Sequence, residues 1–322
     1  MNSKSEQNII EISDSPVLEI DPVVSVIMIT YNHEAYLSES IEAVLAQVTA
    51  FPFELIIGED CSPDNTRQIA IEYQKKYPKI IRIITSEKNV GMSKNQARIL
   101  SASRGKYIAY CDGDDCWNDT QKLQKQADFL EKNQEYVAVY HDAILLNKFN
   151  EGEKISVLPE GGRKDFSNME LTRYAFMPTL SILFRNKIRT LPEEYFKVLN
   201  NDTFLISLLG EYGGAKFLSD IQPGLYREHA GGIWSGLSPQ NQSIGSATTC
   251  FWQMVYYNRI GKVDIANYFA FATIDHILSV IKINKGLLLK WFIIKYFSKT
   301  YQYYLRMKQA FGSKYQTSDI GK

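Results

Sequence analysis

Residues 23–30 read VVSVIMIT, and this run does most to restrict what the chain can fold into. A short, near-continuous β-branched segment is a strand buried on both faces. Strands of that kind belong to parallel sheets covered by helices. The pattern then repeats. Residues 34–47 are amphipathic, and Phe53 to Ile57 is a second strand ending in Gly58-Glu59-Asp60. Ser62 is placed to cap the next helix, with Pro63 in the tolerated first position and Pro78 closing it after Tyr77. Ile80 to Thr85 is a third strand, and Gly91 breaks the chain before a helix over about 93–103. Tyr107 to Cys111 is a fourth strand, followed by a helix over about 119–133. Alternation with short links predicts βαβ units: an α/β fold with a mainly parallel sheet and helices on both faces.

In such sheets the ligand sits beyond the carboxyl ends of the strands. Three polar clusters fall there: Thr30-Tyr31-Asn32, Glu59-Asp60, and Asp112-Gly113-Asp114-Asp115. The last puts three carboxylates in four residues at one strand end. Ionised carboxylates so crowded repel, and a cation or a set of donors must hold them. Oxygen ligands suit Mg²⁺ or Mn²⁺, whose remaining positions go to water and substrate phosphate. An Asp-Gly turn ahead of a helix explains the same residues more blandly. Three strands delivering polar groups to one edge are harder to explain as turns.

Lys plus Arg equals Asp plus Glu, 36 each, so no global field attracts nucleic acid. The four cysteines have neither CxxC spacing nor disulfide density; they read as reduced thiols in a cytoplasmic protein. Residues 1–22 are polar and acidic and read as a flexible arm rather than a signal peptide. No run of about 18 apolar residues marks a membrane span.

Past Tyr136 the pattern weakens. Strands are expected over 136–141 and 179–184, short extended pieces over 216–218 and 224–227, and a helix over 202–209 opened by Asn201 or Asp202. Residues 226–235 read YREHAGGIWS, two basic side chains and two glycines, which fits a mobile loop closing on an anion as well as an ordinary surface loop. From about Phe251 the chain is helical. Between His276 and Ser318 it holds eight Lys or Arg and no Asp or Glu, interleaved with apolar residues. That asymmetry suits a helix on an anionic membrane or a helical cap with a solvated basic face.

Taken together, VSVIMITYNHEAYLSESIEAVLAQ, IIGEDCSPDNT, NVGMSKNQARIL, the GKYIAYCDGDDCWNDTQKLQKQADFLEKN segment and GLYREHAGGIWSG resemble the inverting family 2 glycosyltransferases of the GT-A fold. The resemblance covers about two-thirds of the chain, and its Trp117 and KLQKQ helix look like a bacterial subgroup that builds surface polysaccharides. It implies a GT-A domain over 23–245, with a nucleotide-binding half to about 118 and an acceptor half from about 119. A helical, basic C-terminal extension follows over 246–322. It implies a nucleotide-sugar donor, UDP-linked first, and a glycan or lipid-linked acceptor, at the inner face of the cytoplasmic membrane or free in the cytoplasm. By the same resemblance Thr30, Tyr31, Asn32, Asp60, Asn89 and Asp112 line the nucleotide pocket, and Arg227 reaches the diphosphate. Asp114 and His229 hold Mn²⁺ or Mg²⁺, and Asp202 is the catalytic base. Two departures stand out: Asn-Asp at 201–202 where relatives carry Glu-Asp, and Gln96-Ala97 where many carry Arg-Asn, with Arg98 a possible substitute.

The chemistry suits these residue types. A departing nucleoside diphosphate needs a cation, and the attacking hydroxyl needs one carboxylate to take its proton. The blander alternatives are capping for Asp202, packing for Tyr31 and a turn for Asp60. Two other readings compete. A sugar-phosphate nucleotidyltransferase would open with a Gly-rich basic loop after the first strand, where this chain has Thr-Tyr-Asn-His-Glu. A catalytically silent scaffold on a membrane would have no use for Asp112, Asp114, Asp202 and His229 together.

Overall fold

The computed structural model describes residues 9–14, 16–18, 21–146, 154–229 and 231–284. The first half holds β1 (Ile9–Ile12), β2 (Val24–Thr30), α1 (Leu37–Leu45), β3 (Phe53–Glu59), α2 (Thr66–Lys76), β4 (Ile81–Ser86), α3 (Met92–Ala102) and β5 (Tyr107–Tyr110). Next come α4 (Lys122–Lys132), β6 (Tyr136–Tyr140), β7 (Ala143–Leu146), β8 (Ile155–Ser156), α5 (Asn168–Arg173) and β9 (Leu183–Arg185). The rest are α6 (Asn201–Leu209), β10 (Gly214–Phe217), β11 (Gly224–Arg227), α7 (Pro239–Arg259) and α8 (Val263–Asn284). The chain divides into two compact units: Met1–Leu191 with Leu205–Gly232, and Pro192–Phe204 with Ile233–Lys322. The second unit thus takes in residues 192–204, and its later stretch begins at Ile233, ahead of residue 246 where the sequence places the start of the extension.

In the first unit, eight strands form one sheet in the order β1-β4-β3-β2-β5-β9-β6-β10. Strands β4, β3, β2 and β5 run parallel, as their apolar runs predict. The sheet is mixed beyond them, because β9 lies antiparallel between β5 and β6. The strand expected over 179–184 is a 3-10 turn at Thr179–Ser181 followed by the short β9. A second sheet, β11-β7-β8, stands beside the first.

Alternation assigns the two faces. Val24, Val26 and Met28 join Leu55, Ile57, Tyr107 and Ala109 in one core with Leu37 and Ile41 of α1, Ala70 of α2 and Leu123 of α4. The opposite face receives α3, and Gly58 sets its approach: a Cβ there would stand 2.6 Å from Asn95 Oδ1 and 2.9 Å from Ile99 Cγ2.

That face also carries charge. Ser25 Oγ donates to Glu54 Oε1 at 2.6 Å, and Arg82 Nη1 and Arg104 Nε both donate to Glu54 Oε2. Glu54 is fully buried, and burial works against its ionisation, yet the hydrogen bonds from Ser25 and Arg104 and the field of Arg82 hold its carboxyl below the ordinary value. Arg82 also grips Glu11 through both oxygens, at 2.8 and 3.2 Å. This fork explains why residues 9–12, expected within a flexible arm, form an antiparallel strand on β4 instead.

Helix α2 starts later than its apparent cap implies. Ser62 is used elsewhere: its N–H donates to Glu59 Oε1 at 2.6 Å and its Oγ accepts from Asn32 N–H at 3.1 Å. Asp64 takes the Thr66 N–H at the first turn. Lys122, wholly buried, places its ammonium 4.0 Å from the Trp117 ring centroid and donates to Gln126 Oε1 at 2.7 Å. Trp117 Nε1 and Gln126 Nε2 donate to the carbonyls of Leu180 and Ser181. The segment leaving β5 is therefore anchored in the core.

In the second unit, α7 and α8 pack together around the turn at Gly261, whose φ is +78°. Tyr257 stacks on Phe269 at 5.6 Å, and Arg259 forks onto Glu194 with two 2.8 Å hydrogen bonds. Among the described residues no helix is long and apolar enough to cross a membrane. Most of the basic stretch noted between His276 and Ser318 lies outside the described residues.

Candidate active site

The carboxyl ends of β2, β3 and β5 meet because their ladders are in register. Thr30 pairs with Glu59, Asp60 N–H donates to the Thr30 carbonyl, and Gly113 N–H donates to the Ile29 carbonyl at 2.9 Å. Two non-glycine residues at this edge take left-handed backbone, Asn32 (φ +57°) and Cys61 (φ +59°). Asparagine visits that region readily. A cysteine there is strained, and such strain gathers at functional sites.

The residues expected to line a nucleotide pocket divide by duty. Tyr31 is exposed at the mouth of the edge, while Thr30 is buried with its Oγ1 unpartnered among the described residues. Asp60 is 3% exposed, and each of its oxygens takes a backbone N–H, from Val90 and Gly91, at 2.9 Å. Asn89 Oδ1 accepts from the same Gly91 N–H. Asp60 and Asn89 therefore shape the turn at residues 89–91 before either can meet a ligand. Arg98 is committed as well. It donates to Asn95 Oδ1, Ser86 Oγ and the Glu59 carbonyl and lies 3.6 Å from Asp60.

The acidic cluster also divides. Asp115 is buried, and burial, reinforced by Asp114 and Asp112, pushes its carboxyl well above the ordinary carboxylate range; it accepts the Arg227 N–H at 3.1 Å. Asp114 faces the other way, with Oδ2 3.0 Å from His229 Nε2 and 3.7 Å from His33 Nε2. Burial opposes its ionisation, but the His229 hydrogen bond and the fields of both histidines outweigh burial and hold it below its usual value. Burial lowers His33 in turn, with Asp114 pulling the other way. Gly113 makes this possible. A Cβ there would stand 2.7 Å from Thr30 Oγ1 and 3.0 Å from His33 Nδ1.

Two hydrogen bonds dock β11 onto this loop: Cys116 N–H to the Leu225 carbonyl at 3.1 Å, and Leu225 N–H to the Cys116 carbonyl at 2.8 Å. That bridge delivers Arg227 and His229. The Arg227 guanidinium lies 4.8 Å from the Tyr36 ring centroid and donates to Glu39 Oε2 at 2.8 Å. Its Nη1 is buried with no partner among the described residues.

The donor atoms of His33, Asp114 and His229 lie within 4.8 Å of one another. A carboxylate with imidazoles fits Mn²⁺ and other divalent transition metals, whereas Mg²⁺ favours oxygen. His33 and Tyr36 were not among the residues singled out from the sequence; the one available signal was their position just beyond the first strand end. Asp112 is half-buried at the same edge. Asp202 belongs to the second unit, in the first turn of α6, where its Oδ1 accepts the Thr203 N–H at 2.7 Å. Beside it, burial foremost and the Asp202 charge raise the Tyr195 hydroxyl well above its ordinary value.

The family model described as glycosyl transferase family 2 matches residues 25–189. The protein Rv1520 of Mycobacterium tuberculosis is 35% identical over 211 residues, 65% of this chain and 60% of its own. The chain thus spans about 60% of the length of such relatives. WfgD of Escherichia coli, named a UDP-Glc:α-D-GlcNAc-diphosphoundecaprenol β-1,3-glucosyltransferase, is 36% identical over 113 residues, covering 35% of this chain and 43% of its own. Among solved structures, S. aureus TarS 1–349 in complex with UDP-GlcNAc aligns with a TM-score of 0.57 at 20% identity, over 80% of this chain and 72% of that one. The mannosyltransferase PcManGT from Pyrobaculum calidifontis, in complex with GDP-Man and Mn²⁺, aligns with a TM-score of 0.53 at 14% identity, over 90% and 84%.

Proposed function

Because the chain belongs to glycosyl transferase family 2, we propose that it moves a sugar from a nucleotide-sugar, a UDP-sugar first, to a glycan or lipid-linked acceptor with inversion, in surface-polysaccharide assembly. The observation that carries the reading is the meeting of Asp114 and His229 at 3.0 Å beside three strand ends. The UDP-GlcNAc held by TarS and the UDP-Glc named for WfgD favour a UDP-sugar.

Each residue then has a task. Tyr31, exposed at the edge, offers its ring to the base, and Thr30 and Asn32 line the same wall. Asp60 and Asn89 hold the 89–91 turn against the nucleoside, and Asp112 faces the ribose. Arg227 offers to the diphosphate its Nη1, which has no partner among the described residues, and is steadied by Tyr36 and Glu39. A divalent cation bound at Asp114 and His229, Mn²⁺ or Mg²⁺, supplies positive charge against the departing diphosphate. Asp202 is the base for the acceptor hydroxyl; a single base and attack opposite the leaving group give inversion.

A thermal-shift panel of UDP-, GDP- and CDP-sugars with and without Mn²⁺ tests the reading, since a binder stabilises the fold according to its affinity. UDP-sugars that stabilise only with Mn²⁺ support it; no stabilisation by any donor refutes it. The basic tail is assigned to the anionic inner face of the membrane on its sequence alone. Salt-sensitive binding of the whole chain to anionic vesicles tests that assignment.

A further inference from the structure

We propose that His33 is a third protein ligand of the cation, so that Asp114, His33 and His229 form a nitrogen-rich site selecting Mn²⁺ over Mg²⁺. The inference rests on the metal-dependent reading above and extends it to a residue and a selectivity that the reading does not require.

The position of His33 is built, not incidental. Its backbone N–H donates to Thr66 Oγ1 at 2.8 Å, and its carbonyl takes the N–H groups of Tyr36 and Leu37 at 2.9 Å each. Its ring meets the His229 ring edge-on, with centroids 5.7 Å apart. The missing Cβ of Gly113 leaves the room the ring occupies.

Among the described residues the ring makes no good hydrogen bond in return. Nδ1 is buried with no partner among the described residues, and Nε2 stands 3.7 Å from Asp114 Oδ2, too far for a hydrogen bond. Burying an imidazole with both nitrogens poorly matched is costly unless something else uses one of them. Bonds of about 2.1 Å to nitrogen or oxygen place neighbouring ligands of one ion about 3 Å apart. Asp114 and His229 already stand at that spacing, His33 needs to close on Asp114 by less than an ångström, and all three donor atoms lie within 4.8 Å of one another.

Two imidazoles and one carboxylate are a poor match to Mg²⁺, which favours oxygen and keeps much of its water. Nitrogen donors are tolerated better by Mn²⁺ than by Mg²⁺, and better still by the first-row metals that follow Mn²⁺ in the affinity order. Three protein donors still leave half of an octahedron for phosphate oxygens and water.

The test loads the whole chain with Mn²⁺ alone and counts coordinated imidazole nitrogens by pulsed EPR. Wild type should show two, and His33→Gln and His229→Gln one each. His33→Gln should weaken Mn²⁺ by about 10–100-fold, taking the known effect of ligand-orienting partners as a guide, and narrow the preference for Mn²⁺ over Mg²⁺. One nitrogen in the wild type, with Mn²⁺ bound, overturns the role of His33 while leaving the Asp114–His229 site intact. No bound Mn²⁺ at all overturns both. The wild-type count does not depend on any variant folding.

Discussion

Gly113→Ala puts the crowding at the end of β5 to a direct test. The added Cβ would stand 2.8 Å from Thr30 Cβ, 2.7 Å from Thr30 Oγ1 and 3.0 Å from His33 Nδ1. Carbon atoms rest about 3.5–4.0 Å apart, so something must move by roughly 0.7 Å. Thr30 Cβ belongs to a central buried strand and gives little, which leaves the 112–115 loop and the His33 ring to move. Overpacking of this kind costs about 1–3 kcal/mol, and at about 2–4 °C per kcal/mol the melting temperature should fall by roughly 2–12 °C. The parts that move carry two of the three proposed ligands, so Mn²⁺ affinity, read by calorimetric titration, should drop by about 10-fold or more. Gly261→Ala is the control: its φ of +78° strains any side chain, but a Cβ there meets nothing within 4 Å. It should lose stability and keep Mn²⁺ affinity. Thr30→Ala in the Gly113→Ala background removes the Oγ1 contact and should recover part of both losses. If Gly113→Ala melts and binds Mn²⁺ like wild type, the loop is soft and the crowding argument fails. If it loses stability alone, the crowding does not reach the ligands.

Asp202→Asn should bind donor normally and transfer sugar about 10²-fold more slowly, whereas equal turnover would leave Asp202 a helix-start residue, since Asn and Asp serve there about equally. Asp60→Ala strands the N–H group of Val90, leaves the Gly91 N–H to Asn89 Oδ1 alone and exposes Arg98 to an empty carboxylate site; a loss of about 3–5 kcal/mol in denaturant unfolding is expected, and a loss under 1 kcal/mol would contradict the bonding described. Lys122 gives a pH signature. Burial pushes its ammonium down to about 7, against about 10.4 in the unfolded chain, so the unfolded state binds the extra proton between those values. Stability from this group is complete above the unfolded value and is lost as pH falls through about 7. The stability difference between wild type and Lys122→Met should therefore move in favour of wild type as pH rises from 7 toward 10; a flat difference refutes the buried, shifted lysine.

The parallel core was readable because burial on both faces leaves no polar alternation, and VVSVIMIT is that pattern in its plainest form. The meeting of Asp114 and His229 was readable from the family resemblance rather than from spacing, since nothing local ties two residues 115 positions apart. Strand direction was not readable at β9, because a short apolar run carries no sign of its polarity. Ser62 misled for a definite reason. Its hydroxyl can satisfy either a helix N-terminus or a neighbouring strand end, and the left-handed Asn32 beside it offered the N–H it took. Residues 9–12 looked like a loose arm because the charge that holds them, Arg82, lies on another strand. Nothing local in the sequence marks His33; the register of β2 with β5 brings it to Asp114.

The Cys116–Leu225 bridge makes the arm after β11 sensitive to its length more than to its composition. Leu225, Arg227 and His229 share one parity, and the Glu228 N–H still pairs with the Leu146 carbonyl at 2.9 Å, so the extended conformation reaches nearly to the histidine. Successive side chains in extended backbone point to opposite sides. One residue inserted between Leu225 and Glu228 would turn Glu228 toward Asp114 and send the imidazole outward. The site would then confront one acid with another. Substitutions at exposed positions of this arm are tolerable in a way that a single insertion or deletion is not.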